Sequence, residues 1–315
     1  MWRAWVALWT GTEHPRSLAL VRILLGAVIL MEFLEIWRLD LVVPLFGVAD
    51  VGGMSDALTR ANTPLYYQAF PGTVRSAVAL HAVISVAALS FLGGYFTRTS
   101  ALVLLLGWAQ FAQILPAADR GIDTLCRDVL WIFTVAPAGA CWSFDALWKT
   151  GDFRGDDSHV VCWPRKLILV QLIAIYFLAG VQKTGIHWYP MGHFASLYFI
   201  LQDPAIARFD FAFTARQPWF FFTQVGSAVT ILFQDTYPLV LLWGYYRRTA
   251  DRPGWLRGLS NRWRFELLWI LTGAVFHLLL AASMELGIFP WAMLALYPAW
   301  ISPDLLGRWL PRIGG

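Results

Sequence analysis

Lys183 stands near the end of the run YFLAGVQKTGIHW, Tyr176–Trp188. A lysine at the end of a membrane-grade apolar stretch either anchors the helix at the interface or works as a functional group. Tyr176, Gly180 and Lys183 recur at +4 and +3, so they share one helical face. Gly180 lets a second helix or a flat ligand approach closely. In an apolar pocket, desolvation lowers a lysine pKa and makes a neutral amine available as a base. Gly185 is expected to end the helix and leave Lys183 in its last turn, where the helix dipole favours a cation. The residues alone leave both roles open.

Other ionisable groups fall inside apolar runs. A charge near mid-bilayer costs at least ~2.5–3.5 kcal/mol, so each needs a partner or water. Arg22, Glu32 and Glu35 lie in the first run, with Glu32 and Glu35 at i,i+3. Asp123, Arg127 and Asp128 lie in the fourth, where Asp123 and Arg127 are spaced to pair within one helix. Asp235 stands just before Tyr237-Pro238 in the sixth, His81 lies in the second, and His277 in the seventh. The first- and fourth-run charges are read as partners that hold a helix bundle together, and His81 as a packing histidine. Two histidines on separate spans with no paired ligand spacing predict no metal. Cys126, Cys141 and Cys162, with no CxxC, predict no disulfide framework.

The elements that carry these residues are membrane helices. The 315 residues are 58% hydrophobic and only 14% charged, with mean hydropathy +0.57. A soluble domain would carry nearer a quarter charged residues. Apolar stretches of roughly 20 residues recur, as a ~30 Å hydrocarbon core requires. They do not alternate with the period of barrel strands. The reading is an all-α polytopic bundle of about eight spans, at about 18–37, 74–96, 100–117, 122–138, 167–184, 219–245, 265–286 and 288–303. The last is short, begins at Phe289-Pro290, and reads as a half helix or re-entrant segment. The whole chain, 1–315, is expected to be a single membrane domain with no separate soluble domain and no cleavable signal peptide. Met1–Thr10 reads as an interfacial segment. The longest hydrophilic connections fall near 38–73, 146–166, 185–217 and 246–264.

The net charge of +4 does not predict nucleic-acid binding, because the basic residues sit in short loops between spans. With the N-terminus inside, fifteen Lys and Arg face the cytoplasm, among them Arg3, Arg98, Lys149 and the Arg247–Arg264 cluster. Seven face outward, among them Arg38, Arg60, Arg120 and Lys183. This positive-inside bias predicts both termini in the cytoplasm and Lys183 at the outer face.

Several segments carry a resemblance. YFLAGVQKTGIHW is similar to the lysine-bearing YFIAGVKKLDADW-type segment of vitamin K-dependent γ-glutamyl carboxylases. CWSFDALW, Cys141–Trp148, resembles their W-S-V-D-G element, and FHLLLAASMELGIFPWAMLA, Phe276–Ala295, their FH, G-x-F, MLA segment. ALVRILLGAVIL fits the R-I-x-x-G pattern of the first span. The chain as a whole resembles the horizontally transferred transmembrane (HTTM) domain family.

The resemblance implies that Lys183 is a base acting on a membrane quinol of vitamin K or menaquinol type, with His277 and Asp123 as further catalytic candidates. Tyr176, Gly180 and Trp188 would line the quinone pocket. It differs from the carboxylases at Ile122, where they carry a histidine, and in showing no large lumenal domain after the membrane part. It also implies a multi-pass protein of the bacterial inner membrane. The alternatives are a non-enzymatic factor for maturation, export or immunity of a small secreted peptide, as in SdpB-type relatives, and a DoxX-like quinone-linked redox component. The partners expected are the lipid bilayer and a secreted peptide or neighbouring soluble protein. No inverted repeat supports a transporter.

Overall fold

The computed structural model describes residues 6, 9–59 and 63–309. Arg3, Arg60 and Arg312, and most of the Met1–Thr10 segment, lie outside these residues. The helices of seven residues or more are α1 (Arg16–Arg38), α2 (Val74–Gly93), α3 (Thr97–Ile114), α4 (Gly121–Val135), α5 (Phe144–Thr150) and α6 (Trp163–Val181). They continue with α7 (Trp219–Asp235), α8 (Leu239–Arg248), α9 (Trp255–Trp263), α10 (Phe265–Ser283), α11 (Phe289–Leu296) and α12 (Pro303–Trp309). A two-stranded antiparallel sheet joins β1 (Thr12–Glu13) to β2 (Val160–Val161).

Four described helices are long and apolar enough to cross a membrane: α1, α2, α6 and α10. A fifth span results if α7 and α8, bent by 61° at their junction, count as one. The eight expected spans therefore reduce to four or five by this measure. The others map to α3, α4 and α11, and α4 with 15 residues and α11 with 8 fall short of a ~30 Å core at ~1.5 Å per residue. The connection 246–264, expected to be a plain loop, contains α9.

The chain forms two compact units, one of residues 1–168 with 295–315 and one of 169–294. In the first, α1 packs on α2, α2 on α3 and α3 on α4. Gly26 sets the α1–α2 contact, because a Cβ there would lie 2.9 Å from Leu92 Cα. One turn earlier on the same face, Arg22 is completely buried and donates from Nη2 to the Trp142 carbonyl. Its Nε and Nη1 have no hydrogen-bond partner among the described residues, and the Asp145 carboxylate acts on the guanidinium electrostatically. Asp145 itself accepts from Phe96 N at 2.8 Å, Thr97 N at 2.8 Å and Thr97 Oγ1 at 2.6 Å. It thereby ties the start of α3 to the start of α5. Gly94 (φ 68°) is obligatory here, because a Cβ would run into the Arg22 guanidinium. The R-I-x-x-G and W-S-F-D segments thus meet at one buried arginine.

The fourth-run charges pair differently from the expected Asp123–Arg127 bridge. Asp123 sits at the N3 position of α4 and accepts from Arg120 N, Nε and Nη2 at 2.8, 3.0 and 2.9 Å. Arg120 also reaches Glu32 at 2.7 Å. Arg127 instead makes a bidentate pair with Asp119 at 2.6 and 2.8 Å. Closing the helix N-terminus satisfies orphan amides as well as charge, which a mid-helix pair would not. Glu35 is exposed and pairs with Arg38. His81 is a packing histidine, with Nε2 and Phe33 O 2.8 Å apart.

In the second unit, α7 packs on the short helix Ser196–Leu201, and α8, α9 and α10 pack on one another. Pro238 lacks an amide hydrogen, which ends the α7 hydrogen-bond ladder and allows the bend before α8.

Gly94→Ala should cost the first unit well over ~1 kcal/mol, because it combines a left-handed backbone with a blocked site. The melting temperature of the purified protein in detergent reads this out. An unchanged midpoint would contradict the Arg22 arrangement.

Candidate functional site

Tyr176 and Gly180 project from one face of α6 toward the broken helix α7–α8. Tyr176 is 2% exposed and its ring stacks on Tyr237 at 4.2 Å. Its hydroxyl shares a 2.6 Å hydrogen bond with Nε2 of His277, which is wholly buried in α10. Phe233 meets Tyr176 edge-on at 5.3 Å, and Phe289 meets His277 at 5.4 Å. Aromatic rings therefore seal the Tyr176–His277 pair from water. A buried polar pair of this kind is stable only when its members satisfy each other.

One turn further on, Gly180 lies against the end of α7. A Cβ at Gly180 would run into Asp235 Oδ1 and come within 3.0 Å of Asp235 N. Asp235 Oδ1 is buried and has no hydrogen-bond partner among the described residues, and the same holds for the neighbouring Gln234 Oε1. An unpaired carboxylate oxygen facing a helix surface is costly.

The helix ends at Val181 rather than at Gly185, so Lys183 lies in the turn beyond it and not in its last turn. The turn keeps a backbone bond from Lys183 N to Gly180 O at 2.9 Å. The half-buried ammonium folds back and donates to Ala179 O at 2.9 Å. It also sits 5.2 Å from the centre of the Trp188 ring. Trp188 closes the short turn Ile186–Trp188, which brings the indole over the lysine. Burial disfavours the charged amine, while the Asp235 carboxylate favours it. Burial outweighs the carboxylate, so the Lys183 amine is held below the usual lysine range.

Apart from Asp123, the residues singled out from the sequence fall into three groups. Tyr176 joins His277, Gly180 meets Asp235, and Lys183 meets Trp188. Asp123 belongs to the first unit, where Arg120 takes its carboxylate. The carboxylate beside Lys183 is Asp235. Its signal in the sequence was an acid three residues before a proline inside an apolar run, but its pairing with Gly180 depends on where α7 ends. Tyr237, wholly buried against Tyr176, is the other member that sequence reasoning missed.

A family model described as the HTTM domain matches residues 11–251. The match spans Tyr176, Gly180, Lys183, Trp188 and Asp235, whereas His277 lies beyond it. No solved structure matches the chain.

Gly180→Ala should push α6 off the end of α7 and lower the melting temperature, by the equivalent of about 1–3 kcal/mol for a small-to-large change at a close contact. Tyr176→Phe should cost ~1–3 kcal/mol by leaving the His277 imidazole short of its hydroxyl partner. Wild-type melting of both variants would contradict the described contacts.

Proposed function

This chain belongs to the HTTM-domain family, and from that premise we propose that its second unit carries a quinol-linked proton-transfer site at the outer membrane face, with Lys183 as the base. It is an integral membrane protein by its family and its apolar helices. The observation that carries the reading is the half-buried Lys183 amine, placed over Trp188 and under the electrostatic influence of the Asp235 carboxylate. The Trp188 indole offers an apolar face to a flat phenolic ligand, and the Lys183 amine offers a base to its hydroxyl.

A quinol, when bound, supplies an acidic phenol and reducing equivalents. Lys183 accepts a proton at Nζ when neutral. The Ala179 carbonyl accepts from the resulting ammonium, and the Asp235 carboxylate favours its charge from beyond contact distance. Trp188 covers one side of the lysine amine. His277 acts through Tyr176, whose ring and hydroxyl it positions. Carboxylation of a glutamate side chain, as in the carboxylases that the sequence resembles, would be the further step of such chemistry. The outer placement rests on the distribution of Lys and Arg among the loops.

The bond from Lys183 to the carbonyl four residues back supports a second reading. There the lysine is a helix-end anchor, and the protein is a non-enzymatic membrane factor serving the maturation, export or immunity of a secreted peptide.

The two readings separate on Lys183 variants purified with native lipids. Under the first, quinone co-purifies with the protein, and Lys183→Ala lowers its retention about tenfold, the worth of one charge-assisted hydrogen bond. Lys183→Arg, permanently protonated, then abolishes the phenolate absorbance of added quinol. Under the second, no quinone is retained and Lys183→Arg is silent. The absence of both quinone and any Lys183 effect overturns the proton-transfer reading.

A further inference from the structure

Away from Lys183, the second unit contains a basic cavity of about 230 Å3 where α8, α9 and α10 meet. Arg247, Arg264, Asn261, Ser260, Trp243 and Glu266 line it. Trp243 is only 9% exposed, and its indole N–H lies buried with no hydrogen-bond partner among the described residues. The anion-binding donors of the cavity are therefore the two guanidiniums. Asn261 uses its amide N–H₂ on Tyr246 O at 3.1 Å. Arg247 stands 3.7 Å from Glu266, beyond a good hydrogen bond and leaving most of its donors available. The Arg264 guanidinium makes no hydrogen bond or ion pair among the described residues. The nearby Arg257 is occupied differently, donating to Pro253 O at 2.7 Å and lying 5.1 Å from the Tyr246 ring centre.

The other face of α9 indicates where the anion comes from. Trp255, Leu259 and Trp263 recur at i, i+4 and i+8 and are 80%, 39% and 63% exposed. They form one apolar stripe, while Ser260 and Asn261 face the cavity from the same helix. Tryptophan and leucine on one side with arginines alongside is the pattern of a helix lying in the membrane interface. A stripe set in the acyl boundary would bring the cavity to headgroup level. Two arginines against one carboxylate leave a lining charge of +1, which matches the single negative charge of a phosphodiester.

We propose that α9 docks on the membrane surface through Trp255, Leu259 and Trp263 and that the adjoining cavity binds the phosphate of an anionic phospholipid headgroup. Arg264 and Arg247 grip the phosphate oxygens as charge-assisted donors. Glu266 fixes the Arg247 side chain and disfavours headgroups of higher charge.

The test is native mass spectrometry of the full-length protein in detergent with added phosphatidylglycerol or phosphatidylcholine. Phosphatidylglycerol should bind at least about tenfold more tightly, and Arg264→Gln should remove most of that preference. Arg247 is more than half exposed, so Arg247→Gln serves as a variant that folds in any case, with an expected loss like that of Arg264→Gln. Equal binding of the two lipids overturns the proposal, as does unchanged phosphatidylglycerol binding in both arginine variants. Inorganic phosphate binding as tightly as the lipid also overturns it, because the site would then take a free anion and not a membrane.

Discussion

The contact of Gly180 with Asp235 is the constraint on which the second unit depends. A helix broken inside a membrane exposes backbone groups that lipid cannot satisfy, so the break must be covered by protein. Glycine is the only residue that lets α6 reach the end of α7. Once it does, the Asp235 carboxylate is enclosed with one oxygen unpaired, and the amine that answers its charge lies three residues beyond Gly180. Tyr176, one turn earlier on the same face, stacks on Tyr237 at the bend and reaches His277 in α10. A single helical face therefore seals the break and places the lysine.

The first unit solves a similar problem with the opposite charge. Arg22 is withdrawn from lipid and water alike, and Gly26 and Gly94 provide the space around it. Its partners come from the turn before α5, whose Asp145 also caps α3. Removing one partner of such a buried cluster leaves a charge uncompensated, which costs far more than the cluster itself contributes. This explains in physical terms why R-I-x-x-G and W-S-F-D, some 120 residues apart, form one structural element.

Much of this was legible in the residues. The apolar runs indicate the membrane class, the +4, +3 spacing indicates the Tyr176–Gly180–Lys183 face, and the glycine within it indicates a close approach. What lay out of reach was register. Whether Asp123 pairs with Arg127 or closes its own helix with Arg120 depends on where α4 begins, and arginine is an uncommon capping residue. Whether Lys183 falls inside or beyond the last turn depends on two residues at a helix end. The amphipathic helix 255–263 was hidden by its arginines, which make the 246–264 stretch read as a plain topogenic loop. Hydropathy averages over both faces of a helix, whereas the Trp–Leu–Trp stripe occupies only one.

The Asp235 carboxylate favours the charged form of Lys183, and the rate at which Lys183 is acylated reports this coupling directly. Only the neutral amine reacts, and an opposing carboxylate lowers the neutral fraction. Mass spectrometry of the lysine-bearing peptide after a limited exposure to an amine-reactive reagent should show faster modification in Asp235→Asn than in wild type at the same pH. The rate at Lys166 should be unchanged as an internal control. Equal rates at Lys183 in the two proteins would contradict the coupling, and with it the placement of a base at this site.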